Sequence, residues 1–258
     1  MSRIVVIGGT GLIGSKVVSK LTEHGHDAIS ATPNSGVNTL TGEGLAEVLV
    51  GANTVLDVSN SPSFADDDVM NFFTTATSNT IAAAKAAGVS HYVALSVVGA
   101  ERMVDSGYMR AKVAQEKLIK DSGIAYSLVH ATQFFEFVKS IADSATVDGV
   151  VHLSHALIQP MAAEDVATAV ARTTAGEPLN RTIEVAGPDR YSLDDLIRTG
   201  LAFRGDTRTV VADPDATYFG EKLTAEMLLP GPDATHFDTH FEEWLPANPA
   251  PAAPAASK

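Results

Sequence analysis

The chain has 258 residues, 45% of them hydrophobic, which suffices for one large α/β domain with a small additional lobe but not for two full domains. Its 31 acidic residues outnumber the 18 basic ones, so neither nucleic acid nor an anionic membrane is an expected partner. Because the chain contains no cysteine, a disulfide framework, thiolate catalysis and a cysteine-ligated metal are excluded.

The sequence shows neither a membrane span nor a basic leader segment. No apolar run is long enough to cross a bilayer, and a strand-like run begins at the third residue. We therefore expect a cytoplasmic protein that does not associate with membranes. The segment 246–258 consists mostly of proline and alanine, and we expect a disordered tail there.

Strand-like and helix-like runs alternate along the chain, a pattern typical of parallel strands joined by right-handed helical crossovers. We predict strands at residues 3–7, 27–31, 54–58, 91–97, 125–130 and 182–185, with a very short one at 37–40. Helices are predicted at 11–23, 43–49, 67–87, 111–121 and 163–174. Beyond residue 187 the pattern loosens to a helix at 193–202, a strand at 208–211 and short helical pieces. This order predicts a Rossmann-type doubly wound parallel sheet flanked by helices, a single domain over 1–245. Elements mainly from 132–160 and 188–245 would form a small C-terminal substrate lobe.

Three glycines follow the first predicted strand and open the first predicted helix. Gly8 permits the sharp turn off the strand, where a side chain would force a disfavoured φ. Gly11 lets a pyrophosphate approach the backbone, and Gly14 lets the helix pack closely on the sheet. The free N–H groups and positive dipole of the helix start then face the phosphates. We predict a dinucleotide site here, rather than a turn without a ligand, that also involves Thr10, Leu12 and Ile13.

The end of the second predicted strand determines which dinucleotide is expected. NAD enzymes usually place Asp or Glu there for the ribose hydroxyls, and NADP enzymes usually have a nearby Arg. The segment 30–35, Ser-Ala-Thr-Pro-Asn-Ser, contains neither. Because no carboxylate would repel a 2′-phosphate, we favour NADP over NAD. Further contacts with the cofactor are expected from Thr32, Ser35, Asn38, Val58 and Ser59.

Three residues further along the chain could carry out acid–base chemistry. Tyr108 and Lys112 are four residues apart, so they share one face of a helix, and Ser96 ends a predicted strand. Unperturbed tyrosine has a pKa near ~10, and a cation such as Lys112 would lower it. Tyr108 would then transfer a proton to or from a substrate oxygen while Ser96 bonds that oxygen and Lys112 also binds the ribose. The alternative is an exposed tyrosine and a solvated lysine on an ordinary surface helix.

Aromatic residues follow the predicted strand 125–130, where the open edge of an α/β sheet usually binds ligands. We expect Phe134 or Phe135 to line the nicotinamide side of a substrate pocket, although core packing is the alternative for either ring. The pocket would also involve Val97, Thr132, Gln133 and Met161. Such a pocket lacks a fixed cation and should therefore prefer neutral, apolar substrates.

A metal site is not expected in this chain. His236, His240 and Glu243 share a helical stripe and could be drawn as ligands. The residues between them include Phe237, Phe241 and Trp244, which form a packing face, so the histidines are expected to flank that face in solvent.

The residues at 8–14, Ser96, and Tyr108 with Lys112 resemble the short-chain dehydrogenase/reductase superfamily. Segments 79–96 (NTIAAAKAAGVSHYVALS), 131–135 (ATQFF) and 159–166 (QPMAAEDV) resemble its atypical, NmrA-like NAD(P)-binding branch. The similarity spans about residues 3–245 and is most specific in the glycine turn. The branch includes reductases of quinones, enones and small carbonyls, and also redox sensors, many of which lack the tyrosine kept here. The relay asparagine of many superfamily enzymes has no clear counterpart, because Asn79 resembles a packing asparagine instead.

These observations lead to one functional prediction and two alternatives. We expect an oxidoreductase that transfers hydride between NAD(P)H and a small, rather apolar carbonyl, quinone or alcohol. The first alternative is a cofactor-binding redox sensor without turnover, and the second is an isomerase or epimerase that uses transient oxidation. The expected partner is a small-molecule substrate, and the expected oligomeric state is a monomer or homodimer.

Overall fold

Seven parallel strands form the central sheet in the computed structural model of the chain, which describes residues 1–249. In chain order the strands are β1 (Arg3–Ile7), β2 (Asp27–Ala31), β3 (Thr54–Asp57), β4 (His91–Val97), β5 (Tyr126–Ala131), β6 (Thr146–Val147), β7 (Val150–Leu153), β8 (Leu157–Ile158), β9 (Arg181–Ala186), β10 (Tyr191–Ser192), β11 (Thr209–Ala212) and β12 (Thr235–His236). The helices are α1 (Leu12–Glu23), α2 (Leu45–Val48), α3 (Asp66–Ala87), α4 (Gly107–Asp121), α5 (Val138–Ser144), α6 (Ala163–Ala175), α7 (Leu193–Phe203) and α8 (Phe241–Ala247).

The strand order of the central sheet is β12-β9-β5-β4-β3-β1-β2. The chain leaves β1 for β2 on one side and then returns to place β3 on the other. Such a reversal opens a crevice at the carboxyl ends of the strands, where ligands bind in open α/β sheets. Ile7 pairs with Ala31 of β2 and Asp57 of β3, so these three strands end at one level. The doubly wound fold predicted from the sequence is confirmed.

Helices cover both faces of the sheet because its strands carry apolar side chains on both sides. Ile4 and Val6 belong to the core beneath α1 and α6, whereas Val5 and Ile7 belong to the core on the opposite face. There α3 and α4 pack against each other. Lys16 and Lys20 of α1 both pair with Glu164 of α6.

A smaller lobe stands beside the sheet and has its own core. It contains the three-stranded sheet β11-β7-β6, the pair β10-β8, and helices α5, α7 and α8. Phe135, which follows β5, is fully buried in this core, with its ring 5.0 Å from that of Phe241 and 5.5 Å from that of Trp244. Phe135 therefore anchors the lobe to the chain segment that leaves the central sheet.

Several elements differ from the sequence-based prediction. The expected strand at 37–40 is wrong, because the Asn38 side chain accepts hydrogen bonds from Leu40 N and Thr41 N and closes a turn. Asn79 donates to the carbonyls of Thr39 and Leu40, which is a packing role. Helix α5 and strands β6, β7, β8, β10 and β12 were not predicted.

Two findings concern the C-terminal tail and the membrane. Helix α8 continues through residues 246–247, two positions into the segment expected to be disordered, and residues 250–258 lie outside the described part of the chain. Within residues 1–249, every helix is too short or too polar to cross a membrane.

Candidate active site

Besides Gly9, where a Cβ would lie 2.5 Å from Ser30 Oγ, the turn after β1 requires glycine at two further positions. Gly8 has φ +80°, and a Cβ on it would lie 2.9 Å from Ser59 Cα. A Cβ on Gly14 would lie 2.2 Å from the carbonyl oxygen of Gly8, so α1 packs against the turn backbone. Both glycines therefore set the shape of the turn, as the sequence analysis expected.

Gly11 occupies the N-cap of α1, and no side chain caps this helix end. The first N–H groups of the helix have no acceptor within it and point out of its end. Thr10, Gly11 and Leu12 are exposed beside them. An open N-terminus with a positive dipole suits a pyrophosphate, so these residues fit the phosphates of a dinucleotide. The Ile13 side chain is buried, so only the backbone of this residue is available to a ligand.

The end of β2 offers small polar groups and no carboxylate. The Ser35 hydroxyl is 2.9 Å from both Thr32 N and Thr32 O, so it closes its own turn. Asn38 is likewise occupied by its turn. Ser30 Oγ, by contrast, is buried without a hydrogen-bond partner in the described residues. Gly9 packs against this hydroxyl, because a Cβ on Gly9 would lie 2.5 Å from Ser30 Oγ.

Helix α4 presents its polar residues to the carboxyl ends of β3 and β4. The Ser106 hydroxyl accepts a hydrogen bond from Met109 N at the N-cap and thereby fixes the helix start. Spacings of three and four residues place a set of side chains on one face of the helix. That set consists of Tyr108, Lys112, Gln115 and Glu116.

Tyr108 lies at the start of α4 within a cluster of aromatic rings. Its hydroxyl is 3.1 Å from Asn60 Oδ1, in the loop after β3. Phe64 and Phe219 are each 5.7 Å from the Tyr108 ring and 5.9 Å from each other, and both are substantially exposed. Phe73 meets the tyrosine edge-on at 5.8 Å. Burial raises the pKa of Tyr108 to about 12, so the hydroxyl carries its proton at neutral pH.

Lys112 is buried one turn further along α4. Its ammonium donates to Leu95 O at 3.0 Å and to Gln115 Oε1, and it lies 4.5 Å from the centre of the Phe73 ring. Gln115 in turn donates to Asp57 Oδ2 at 3.0 Å. Burial lowers the pKa of Lys112 to about 8, although Asp57 and Glu116 oppose that shift. The lysine is thus a fixed cation at the ends of β3 and β4.

Ser96 is hydrogen-bonded to a residue two turns along α4 from the tyrosine. Its hydroxyl donates to Glu116 Oε1 at 2.6 Å, and His130 Nε2 lies 2.8 Å from the same oxygen. Burial favours the neutral form of Glu116, but His130, Ser96 and Lys120 outweigh burial and lower its pKa to about 2. Ser96 therefore belongs to a buried network beneath α4, and its predicted contact with a substrate oxygen stays a prediction.

The segment after β5 contains unpaired polar groups. Thr132 Oγ1 and both side-chain polar atoms of Gln133 are buried without hydrogen-bond partners in the described residues. Gln133 O accepts a hydrogen bond from Met161 N. These groups therefore lie just beyond the end of β5, beside the segment by which the chain returns from the smaller lobe. Unpaired buried polar atoms are costly, and a bound ligand would satisfy them.

The two candidate phenylalanines occupy different environments. Phe134 is half-buried and stacks on Phe137, with ring centres 5.1 Å apart, whereas Phe135 is in the lobe core. Phe135 is not accessible to a ligand in this arrangement. Val97 is half-buried at the end of β4, next to the lobe core, and Met161 is fully buried.

The glycine turn and the open helix start together form the features of a dinucleotide site. A family model described as NAD(P)H-binding matches residues 8–176, about two thirds of the chain. The chain belongs to this NAD(P)H-binding family. This finding confirms the NAD(P)-binding family expected from the sequence.

Two similar curated proteins are reductases. One is the (4-alkanoyl-5-oxo-2,5-dihydrofuran-3-yl)methyl phosphate reductase of Streptomyces griseus, 29% identical over 203 residues, which span 72% of this chain and 68% of that protein. The other is the divinyl chlorophyllide a 8-vinyl-reductase of Cucumis sativus, 27% identical over 242 residues. That match spans 79% of this chain but only 57% of the relative.

A solved structure shares the fold. It is an NADPH-dependent quinone oxidoreductase from Escherichia coli complexed with NADPH, with a TM-score of 0.64 and 24% identity. The match covers 82% of this chain and 78% of that chain. The chain is therefore an NAD(P)H-binding protein with a Rossmann-type fold.

Several residues of the site were not predicted from the sequence. Asp57, Asn60 and Gln115 hold the tyrosine and lysine in place, and Glu116 holds Ser96. One signal was available, because Gln115 and Glu116 continue the Tyr108–Lys112 face of α4 by one turn. The aromatic residues Phe64 and Phe219 carried no local signal, because they come from loops more than 150 residues apart in the sequence.

Proposed function

We propose that this protein is an NADPH-dependent reductase of small, rather apolar, conjugated carbonyls or quinones. The observation that carries the proposal is the position of Tyr108 and Lys112 on one face of α4, at the same edge of the sheet as the glycine turn. The family match and the two similar reductases support it.

The roles of the residues follow from their protonation and contacts. A bound reduced nicotinamide supplies a hydride, which adds to an electrophilic carbon of the substrate. The substrate oxygen, on which negative charge develops, would then take the proton of the Tyr108 hydroxyl. The resulting tyrosinate would recover a proton from solvent. Lys112 would bind the ribose hydroxyls and stabilise the tyrosinate while it exists. A tyrosine with a pKa of about 12 suits the reductive direction, because it enters the reaction protonated.

The surroundings of Tyr108 support a planar, apolar substrate. Phe64 and Phe219 present exposed ring surface beside the tyrosine. Aromatic rings stack favourably on flat π-systems. The Thr132 hydroxyl and the Gln133 amide would supply polar contacts to the substrate or the nicotinamide amide.

We propose NADPH rather than NADH as the reductant. A 2′-phosphate near the end of β2 would meet hydroxyl groups and no carboxylate between residues 30 and 35. In NAD enzymes a carboxylate at this place would repel such a phosphate.

A nucleotide-binding sensor without turnover is the second candidate. It is favoured by the bond of Ser96 to Glu116, because that hydroxyl is then not available to a substrate oxygen. The two candidates differ in whether reduced nucleotide is consumed.

The decisive experiment measures oxidation of NADPH and NADH by the purified protein against quinones, enones, aldehydes and ketones. We expect turnover with NADPH and a conjugated acceptor, and a loss of roughly 10²–10⁴-fold in Tyr108→Phe with unchanged nucleotide affinity. Tyr126→Phe is the matched control, because Tyr126 begins β5 at the opposite edge of the sheet. Tight NADPH binding without turnover on any acceptor would establish the sensor instead.

A further inference from the structure

A cavity of about 400 Å³ lies at the carboxyl edge of the sheet, outside the aromatic cluster around Tyr108. Arg102, just beyond β4, and Arg190, just beyond β9, line it together with His236 of β12. The loop 229–232, Leu-Pro-Gly-Pro, and Glu226 complete the wall. We call this space the arginine cavity. None of the residues that contact Tyr108 lines it.

Neutral oxygens hold both guanidinium groups, and Arg102 Nε also lies 3.7 Å from Glu101 Oε1. Arg102 Nη2 donates to Leu229 O at 2.9 Å, and Arg190 Nε donates to Gln159 Oε1 at 3.1 Å. Gln159 is itself buried and donates to Gly187 O at 2.8 Å, so a fixed amide orients Arg190. The remaining N–H groups of both forks are left for another acceptor.

The backbone is shaped to let Arg102 lie in this position. Gly99 has φ +77°, and a Cβ on it would lie 2.8 Å from Arg102 Nη2 and 2.6 Å from Met227 O. Any larger residue at 99 would displace the arginine and the loop that accepts its hydrogen bond. The arrangement is therefore a built feature and not a chance meeting of surface side chains.

The charge in the arginine cavity is opposite in sign to the protein as a whole. The chain has a net charge of −13, and elsewhere Arg198 and Arg208 are each paired with two aspartates. Within residues 1–249, Arg190 has no carboxylate within 4.0 Å, and the nearest to Arg102 is Glu101 at 3.7 Å. Glu226 is the one acidic residue in the lining, and Glu184 contacts the lining from outside by accepting a hydrogen bond from Gly231 N. Arg190 is therefore the guanidinium group of the cavity that no carboxylate of residues 1–249 neutralises.

We propose that the arginine cavity binds the carboxylate or phosphate group of a small molecule. Arginine forks bind such planar or tetrahedral oxyanions through paired charge-assisted hydrogen bonds. The anion is either part of the substrate of the proposed reductase or a separate small anion. In the first case the inference rests on the proposed function, and in the second it is independent of it.

Binding is tested with inorganic phosphate and acetate, which need no turnover. Calorimetric titrations compare the full chain with Arg102→Gln, Arg190→Gln and the control Arg181→Gln, which changes the same charge at the opposite end of β9. We expect at least fivefold weaker phosphate binding in both cavity variants and an unchanged value in the control. Thermal unfolding checks that each variant folds. The absence of phosphate and acetate binding to the wild-type chain, or binding that survives both cavity substitutions, would overturn the proposal.

A kinetic arm identifies the source of the anion. Acceptor pairs that differ only by a carboxylate or phosphate are compared in wild type and Arg190→Gln. A KM that rises at least fivefold for the charged member alone would assign the cavity to the substrate. Equal KM values for both members, with phosphate binding still dependent on Arg190, would assign it to a separate anion. If no acceptor is turned over, the proposed function fails while the titration still decides the anion site.

Discussion

The glycine turn and the Tyr108 end of the cleft are built in opposite ways. The turn is made from backbone within seven consecutive residues, and its glycines leave no room for side chains at positions 8 and 14. The tyrosine end is made from side chains of β3, β4, α3, α4 and two distant loops. Binding of the phosphates therefore depends on a short piece of chain, whereas the acid–base chemistry depends on how the whole domain folds.

This contrast predicts where a substitution should be harmful. A side chain added at the turn blocks the ligand directly, because backbone N–H groups provide the binding. A side chain removed at the tyrosine end takes away one contact among several, so it weakens binding in part or slows the reaction without blocking the site. The following predictions test this difference, beginning with the largest effect.

Gly11→Val should abolish nucleotide binding while the fold is retained. In the free chain a Cβ at Gly11 would contact only Gly8 O, at 3.3 Å, so the residue is tolerated until phosphates arrive. Losing two charge-assisted hydrogen bonds at about 1.5–3 kcal/mol each predicts a loss of about 100-fold or more, measured by calorimetry with NADPH. Gly176→Val is the control, because a Cβ on Gly176 would lie at the same distance, 3.3 Å, from a backbone carbonyl oxygen, that of Arg172. Unchanged affinity in Gly11→Val would contradict the assignment of the turn.

The affinity for NADPH should fall as the pH rises through about 8. Below that pKa the Lys112 ammonium has three protons, two of which are used by Leu95 O and Gln115, so one remains for a ribose hydroxyl. Above it the neutral amine has none to spare. One lost charge-assisted bond predicts a decrease of about tenfold between pH 7 and 9.5. The decrease should disappear in Lys112→Met, and its persistence there would show that another group titrates.

Phe219→Gly should weaken substrate binding without harming the fold. Phe219 has φ +49°, which glycine adopts without strain, and the ring is substantially exposed. We expect an unchanged or higher melting temperature. Because aromatic contacts contribute about 0.5–1.5 kcal/mol, KM for planar acceptors should rise roughly threefold to tenfold. Phe203→Ala, at an exposed ring on α7, should leave KM unchanged. A KM unaffected by Phe219→Gly would remove the aromatic contribution to specificity.

Ser96→Ala should have the smallest effect on turnover. If the hydroxyl serves Glu116 rather than the substrate, kcat should change by less than about threefold while unfolding costs about 1–3 kcal/mol less. Steady-state kinetics and a denaturant titration on the same preparation measure kcat and the free energy of unfolding separately. A loss of kcat as large as that in Tyr108→Phe would return Ser96 to the substrate oxygen.

Sequence-based prediction succeeded where a feature is built from consecutive residues and failed where it depends on contacts between distant segments. The strands at 3–7, 27–31 and 91–97 were predicted with correct bounds. The first and third are largely apolar runs, and the second, Asp-Ala-Ile-Ser-Ala, lies between the turn residues at 24–26 and 32–34. The strand at 37–40 was wrong because the Asn38 side chain competes for the backbone. The partners of Tyr108 could not be found, since Asn60 and Phe219 meet it only in the folded domain.

The arginine cavity also lay beyond sequence-based prediction. Arg102, Arg190 and His236 belong to three segments separated by 88 and 46 positions, and each looks like an ordinary surface residue in its own segment. Only the parallel pairing of β12 with β9 brings His236 level with Ala186 and so to the same edge. The expectation of a neutral substrate pocket was based on the aromatic segment after β5 alone.

The location of Trp244 gives the protein an internal optical reporter. It is the sole tryptophan of the chain, and it packs in the lobe core against Phe135 and Phe241 rather than in the central sheet. Its emission will therefore respond to loosening of the lobe, while far-ultraviolet circular dichroism is dominated by the helices around the sheet. Comparison of the two signals during denaturation reveals whether the lobe separates before the sheet unfolds. A shift of the emission on adding an acceptor would report movement of the lobe during binding.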